Sequence, residues 1–173
     1  AHGFALRIND EEYRLLAKLE AAENCVCLKE RADFALGIVT GDNKRYLSNE
    51  CLDGMEPVVT GSDVYRYRYQ DSGKYVDPDL ALYQQAAPAK LYRAPEKLIY
   101  RFINRQLVFA YDDRQRLTLN SCNVVIPRVE RLDMKYIMAV LNSRVAQYMY
   151  EKRYHVVKVL RSHIESIPIP LAD

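Results

Sequence analysis

IYRFINRQLVFAYDD, residues 99–113, decides how the rest of this chain is read. Two runs rich in β-branched and aromatic residues flank Asn104-Arg105, the spacing of a tight hairpin, although Asn-Arg is a weaker turn pair than Asn-Gly. A hairpin in mid-chain implies a sheet, and its neighbours supply one. Residues 34–39, 45–47, 57–60, 64–69, 97–103, 106–110, 117–119 and 123–126 are short β-favouring runs separated by Gly, Asn, Asp and Pro, which predicts a meander of strands.

Helical signals lie on both sides of this middle. Asn9 is placed to cap a first helix, Glu12 three residues on completes a capping box, and Leu15, Leu16 and Leu19 form one apolar stripe running to about residue 22. Asp133 is placed to cap one long helix over 134–153, MKYIMAVLNSRVAQYMYEKR, with Ile137, Val140, Leu141, Val145, Tyr148 and Met149 on a single face. Between them DLALYQQAAPAKLYRA, residues 79–94, has room for one short helix. LRSHIESIPIPL, residues 160–171, ends in a Pro-Ile-Pro tail that neither continues a helix nor donates to a central sheet. The sum predicts an α+β fold: an N-terminal helix, a strand-rich twisted mixed or antiparallel sheet, and a long C-terminal helix packed on it.

A chain of 173 residues is long enough for one domain with a real core, and 49% apolar with 28% charged residues is ordinary for a globular protein. No run approaches the roughly 18 apolar residues of a membrane helix and no charged-then-apolar leader opens the chain, so no membrane partner and a cytoplasmic location are expected. The sequence opens Ala1-His2-Gly3 without an initiator Met, which suggests a piece of something longer. Cys25, Cys27, Cys51 and Cys122 have no metal-ligand spacing, and His2, His155 and His163 do not cluster with them; buried free thiols are expected, with no metal site.

The net charge is only +2, yet it is uneven. Residues 1–59 hold 7 Lys and Arg against 11 Asp and Glu, net −4; residues 60–116 hold 10 against 7, net +3; residues 117–173 hold 8 against 5, net +3. Phosphate contacts need a local surplus of this kind rather than a high total.

Catalytic alternatives fail on spacing. GIVTGDN, residues 37–43, joins a strand to a glycine turn, but its glycines are too close for a phosphate loop, and a strand over Lys44-Arg45-Tyr46-Leu47 is expected where a nucleotide site needs a helix. A metal-dependent nuclease would pair Pro78-Asp79 with Asp42-Asn43-Lys44 or Asp133-Met134-Lys135, yet these lie in a turn and at a helix start rather than on neighbouring strands. Asp112-Asp113 is expected to be a hairpin-end turn, and no Ser-His-Asp arrangement is credible.

Val64-Tyr65-Arg66-Tyr67-Arg68-Tyr69 is the most suggestive run. On one strand its tyrosines would pack inward and its arginines face a partner, and Arg suits guanine edges and phosphates. The same alternation equally describes a half-buried strand with a solvated basic face.

Taken in order, LGIVTGDNKRYL, EPVVTGSDVYRY, APEKLIYRFINRQLVFAYDDRQRLTLNSCNVVIP, YIMAVLNSRVAQYMY and VLRSHIESIPIPL resemble the TaqI-like C-terminal specificity domain over about residues 34–171. Such domains follow the catalytic domain of many adenine-specific DNA methyltransferases and fused type II restriction–modification enzymes, and are related in fold to type I specificity subunits. The resemblance implies a type I target-recognition-like domain over 31–173, preceded at 1–30 by a helical segment leading from an upstream domain. It implies a DNA-reading module that grips double-stranded DNA and presents a flipped adenine to a methyltransferase domain of the same chain. That domain would use S-adenosylmethionine, and no cofactor is expected in this segment. Relatives hold the flipped base with an Asn/Asp-Pro-Pro-Tyr/Phe motif; this sequence has no paired prolines, so methylation by this chain alone is not expected. The stretch between Asp63 and Lys97 is shorter than in many relatives and lacks Trp.

The resemblance hands over no individual contacts, so candidates come from chemistry: Arg66, Arg68, Lys74, Lys90, Arg93, Arg105, Arg114 and Arg116 on the basic middle, with Asn43, Lys44 and Arg45 beside the glycine turn. The alternative function is a type I-like specificity subunit fragment, or a non-catalytic interaction module using the helix at 133–152 against another subunit.

Overall fold

The computed structural model describes residues 8–171, so the opening Ala1-His2-Gly3 lies outside the described residues. Helix α1, Asp10–Glu20, carries the expected capping box: the Glu12 amide donates to the Asn9 side chain at 2.9 Å and Glu12 accepts from the Asn9 amide at 3.1 Å. Of its leucine stripe only Leu16 is buried, while Leu15 is exposed. Cys25–Val26 forms β1 and Ala32–Ala35 forms β2.

Beyond β2 the chain leaves the strand. The run expected to extend over 34–39 is cut at Ala35, and Ile38 and Val39 make only single bridges, to Leu119 and Gln85. Gly37 is needed here: a Cβ on it would lie 2.0 Å from the Leu119 carbonyl oxygen. Gly41 turns the chain at φ +80°, and Asp42 then accepts from the amides of Lys44 and Arg45, starting the one-turn helix α2, Asn43–Tyr46. This corrects the expected strand over 45–47; a capping aspartate outweighs the β preference of Tyr46 and Leu47.

Glu56–Val59 is β3, Val64–Tyr65 is β4, Arg68–Tyr69 is β5 and Tyr75–Val76 is β6. The single strand expected over 64–69 is therefore a tight hairpin, with Val64 opposite Tyr69, Tyr65 opposite Arg68, and Arg66-Tyr67 as its turn. Two short helices, a 3-10 turn at Leu80–Leu82 and α3 at Ala89–Tyr92, occupy the segment where one was expected.

Lys97–Arg101 is β7, Phe109–Asp112 is β8, Leu117–Thr118 is β9 and Cys122–Pro127 is β10. The β7–β8 register, Tyr100 opposite Phe109 and Lys97 opposite Asp112, is the one a turn centred on Asn104-Arg105 requires. The named strands stop short of that turn, so the second is Phe109–Asp112 and not 106–110. The tip turns elsewhere: the Phe102 carbonyl accepts from the Val159 amide, and Ile103 bridges Lys158.

Met134–Leu141 is α4, Arg144–Arg153 is α5, Arg161–Glu165 is α6 and Ile169–Pro170 is β11. The long helix expected over 134–153 is thus two. Asn142 leaves the helix to bond the backbone of Phe109, donating to its carbonyl at 2.9 Å and accepting from its amide at 3.0 Å. Ser143 then caps α5 by accepting from the Ala146 amide. The break changes the phase of the second half, so Val145, expected inside, is 53% exposed, while Ala146, Met149 and Tyr150 are buried.

The main sheet is antiparallel in the order β2-β10-β7-β8; a smaller mixed sheet runs β6-β3-β9, with β3 and β9 parallel, and β1 pairs with β11. The fold is α+β, as expected. Strand alternation splits the core across the main sheet. Leu98, Tyr100, Phe109 and Val125 face α4, α5 and α6, packing with Ile137, Leu141, Tyr150 and Ile164. Ile99, Ala110, Cys122 and Val124 face the small sheet, packing with Val58, Val64, Leu117 and Tyr92. Only Cys122 of the four cysteines is buried; Cys25 and Cys27 are half-buried and Cys51 is exposed, against the expectation of buried thiols.

Candidate nucleic-acid interface

A fully buried ion pair organises the loops of the small-sheet side. The register that sets Lys97 opposite Asp112 directs both side chains away from the helices, and both are without solvent exposure. Lys97 Nζ donates to an Asp112 carboxylate oxygen and, at 2.6 Å, to the Tyr92 carbonyl at the end of α3. Asp112 also accepts from the Tyr69 hydroxyl at 2.7 Å and from the amides of Arg114 and Arg116, each at 3.0 Å. Burial lowers the pKa of Lys97, and the Asp112 charge opposes that shift. Burial, and then the bond to Asp112, raise the Tyr69 phenol above its ordinary value, so it stays a neutral donor. One buried ion pair thus fixes three segments: Asp112 holds the β4–β5 hairpin and the loop after β8, and Lys97 holds the end of α3.

Arg66, Arg68, Arg93, Arg114 and Arg116 sit on those three elements. Arg114 is exposed on the loop that wraps Asp112. Arg93 donates to the Gln115 carbonyl at 3.0 Å and pairs with Glu56 at 2.8 Å. Arg116 pairs with Asp71 at 3.3 Å, while its Nε is buried without an acceptor. In the hairpin Arg66 is exposed, and Tyr67 holds φ 73°, unusual for a bulky side chain, while its amide donates to the Phe109 carbonyl at 2.8 Å. The tyrosines do not share an inward face: Tyr67 is 52% exposed, Tyr65 lies at the surface, and only Tyr69 turns in.

The other candidates are dispersed. Asn43, Lys44 and Arg45 are on α2, and Ser48, beyond its C-cap Leu47, bridges Tyr75 beside the exposed Lys74. Arg45 lies 5.1 Å from the Tyr46 ring centre, and the Asn43 side chain accepts from the Thr40 hydroxyl at 2.5 Å. Lys90 is exposed on α3. Arg105 is at the opposite end of β7–β8 from Arg114 and Arg116, lining a cleft of about 650 Å³ with Glu151, Lys152 and His155.

Sequence reasoning missed Arg101. Its Nε donates to the Val64 carbonyl at 2.7 Å, and its guanidinium carbon lies 5.6 Å from the Tyr65 ring centre; that of Arg68 lies 4.9 Å away. A signal existed, because Lys97, Ile99 and Arg101 share one face of β7, and the predicted turn itself pairs Lys97 with Asp112.

The nuclease alternative finds no geometry. Asp42, Asp79 and Asp133 each cap a helix, accepting from the amides of Lys44, Ala81 and Lys135. Among the described residues no group of three or more His, Cys, Asp and Glu is placed to hold a metal ion, and no helix is long and apolar enough to cross a membrane.

Comparison with known proteins places this fold in a family. Residues 56–169 match the TaqI-like C-terminal specificity domain, and the chain belongs to that family, the DNA-sequence-recognition domains of restriction–modification systems. Its fold resembles the HsdS subunit from Thermoanaerobacter tengcongensis at TM-score 0.53 and 13% identity, over 93% of this chain and 39% of that one. It also resembles a chain from work on complex assembly and conformational transition of the type I R-M system, at TM-score 0.51 and 14% identity, over 92% of this chain and 38% of that one. The chain therefore spans about two fifths of the length of those proteins. No curated protein matches it in sequence.

Proposed function

We propose that this chain reads duplex DNA for a restriction–modification enzyme and places a target adenine for N6 methylation by a catalytic domain that binds S-adenosylmethionine. The observation that carries the reading is the convergence of three arginine-bearing segments on the buried Lys97–Asp112 pair, which gives a basic surface a fixed shape without covering it. Phosphate contacts from such a surface set affinity and its salt dependence, and base contacts set the sequence. The test is affinity for duplex DNA at two salt concentrations, wild type against Arg66→Ala/Arg68→Ala. Weak, salt-sensitive binding is expected, with the double variant weaker and its log-log salt slope shallower by up to about two. Salt-independent binding, or an unchanged double variant, removes the hairpin from the interface.

A second reading, a fragment of a type I-like specificity subunit, is favoured by the fold likeness to HsdS. The two differ in whether the methyltransferase is part of the same chain or a separate subunit. Cofactor and Asn/Asp-Pro-Pro-Tyr/Phe motifs within a few hundred residues upstream select the first; their absence from the full-length gene product selects the second.

A further inference from the structure

We infer that Arg101 is a base-reading residue that takes a guanine edge, rather than a cation that neutralises phosphate. This rests on the DNA-reading function proposed above. Arg101 ends a regular strand instead of riding on a loop, and it is half-buried against the β4–β5 hairpin. Its Nε is committed to the Val64 carbonyl at 2.7 Å, and its guanidinium lies against the Tyr65 ring. A guanidinium carries five N–H donors. The other four of Arg101 have no protein acceptor among the described residues, and no carboxylate there pairs with it. A purely structural role would be met by the one bond already made.

What remains free is the terminal fork of two Nη groups, and that fork matches the paired N7 and O6 acceptors of guanine in the major groove. The contrast with Arg66 and Arg114 supports the division of labour. Those two are exposed, and among the described residues their side chains have no ion-pair partner, which suits contacts to phosphates whose positions vary little with sequence. A side chain fixed before binding loses less freedom on making a directional pair of bonds, so it discriminates better.

The test is selection of bound duplexes from a randomised library by the full chain, as wild type, Arg101→Lys and Arg101→Ala, with salt titrations of each. Lysine keeps the charge and loses the fork. The wild type is expected to enrich a motif containing guanine, and Arg101→Lys to lose preference at that base pair by about 5- to 150-fold with the salt slope unchanged. Tyr65→Leu, which removes the ring but leaves Arg101, is expected to lose preference at the same base pair, and serves where Arg101→Ala folds poorly. If Arg101→Lys enriches the wild-type motif with equal stringency, Arg101 is a phosphate contact and the inference fails alone. If the wild type binds but enriches nothing, the sequence-reading function fails and this inference with it.

Discussion

On the face of the main sheet that carries α4, α5 and α6, most buried side chains are apolar, from Leu98 and Phe109 to Ile137 and Ile164, with Asn123, Asn142 and His163 as the polar members. The opposite half buries Lys97, Asp112, Thr118, Asp63 and Thr40 among Ile99, Val124 and Leu117. The helices close over one face and exclude water from it. The loops on the other face must stay exposed and still keep a shape, and apolar contact, which is non-directional, does not supply that. Bonds radiating from a buried carboxylate do, since each fixes a particular backbone group.

The strongest way to break this contrast is Asp112→Ala. It strands a buried ammonium and frees the amides of Arg114 and Arg116, and is expected to cost about 3–5 kcal/mol in urea unfolding. Replacing the pair together, Lys97→Met/Asp112→Leu, is expected to recover most of that stability. DNA affinity should not recover with it, and amide exchange should stay fast over residues 113–116. On the helix side, Leu141→Ala is expected to cost about 2–5 kcal/mol while leaving the DNA affinity of the folded fraction unchanged.

A smaller effect of opposite sign sharpens the comparison. Tyr67→Gly relieves the positive φ of the hairpin turn and is expected to stabilise the fold by about 1 kcal/mol, while weakening DNA binding through loss of an exposed ring beside Arg66 and Arg68. The smallest effect is set by pH. His163 Nδ1 accepts from the Leu160 amide and the ring stacks on Tyr154 at 3.9 Å; burial lowers its pKa below the ordinary histidine value. The folded state therefore prefers the neutral ring. Stability from this group is full above the unfolded pKa of about 6.5 and declines as pH falls through it toward the lower folded value. Thermal melts from pH 7.5 to 5 should show this decline, and His163→Phe should flatten it.

The fold was legible in the sequence wherever local and tertiary preferences agree. The capping box at Asn9 and Glu12 and the β7–β8 register follow from residue types alone. It was illegible where a distant bond overrides a local preference. Asn142-Ser143 passes for helix interior until Phe109 offers it a strand edge, and Arg66-Tyr67 carries no turn residue, the bend being held by the bond from the Tyr67 amide to the Phe109 carbonyl. At the candidate interface the sequence offered cations to choose from, but alternation within 64–69 depended on a strand that does not exist, and Arg101 was hidden in a run that looked entirely structural.

The margin of β8 also has a colloidal consequence. β8 is an outermost strand of its sheet, and at Phe109 both outward-pointing backbone groups are taken, by an amide that imitates a neighbouring strand for one residue, while Gln147 takes the Leu107 amide at 2.8 Å. This margin is closed to strand addition. Asn142→Ala would leave the buried Phe109 amide unpaired while the Tyr67 amide still holds the Phe109 carbonyl, so concentrated solutions of the variant should stay monodisperse until the domain itself unfolds.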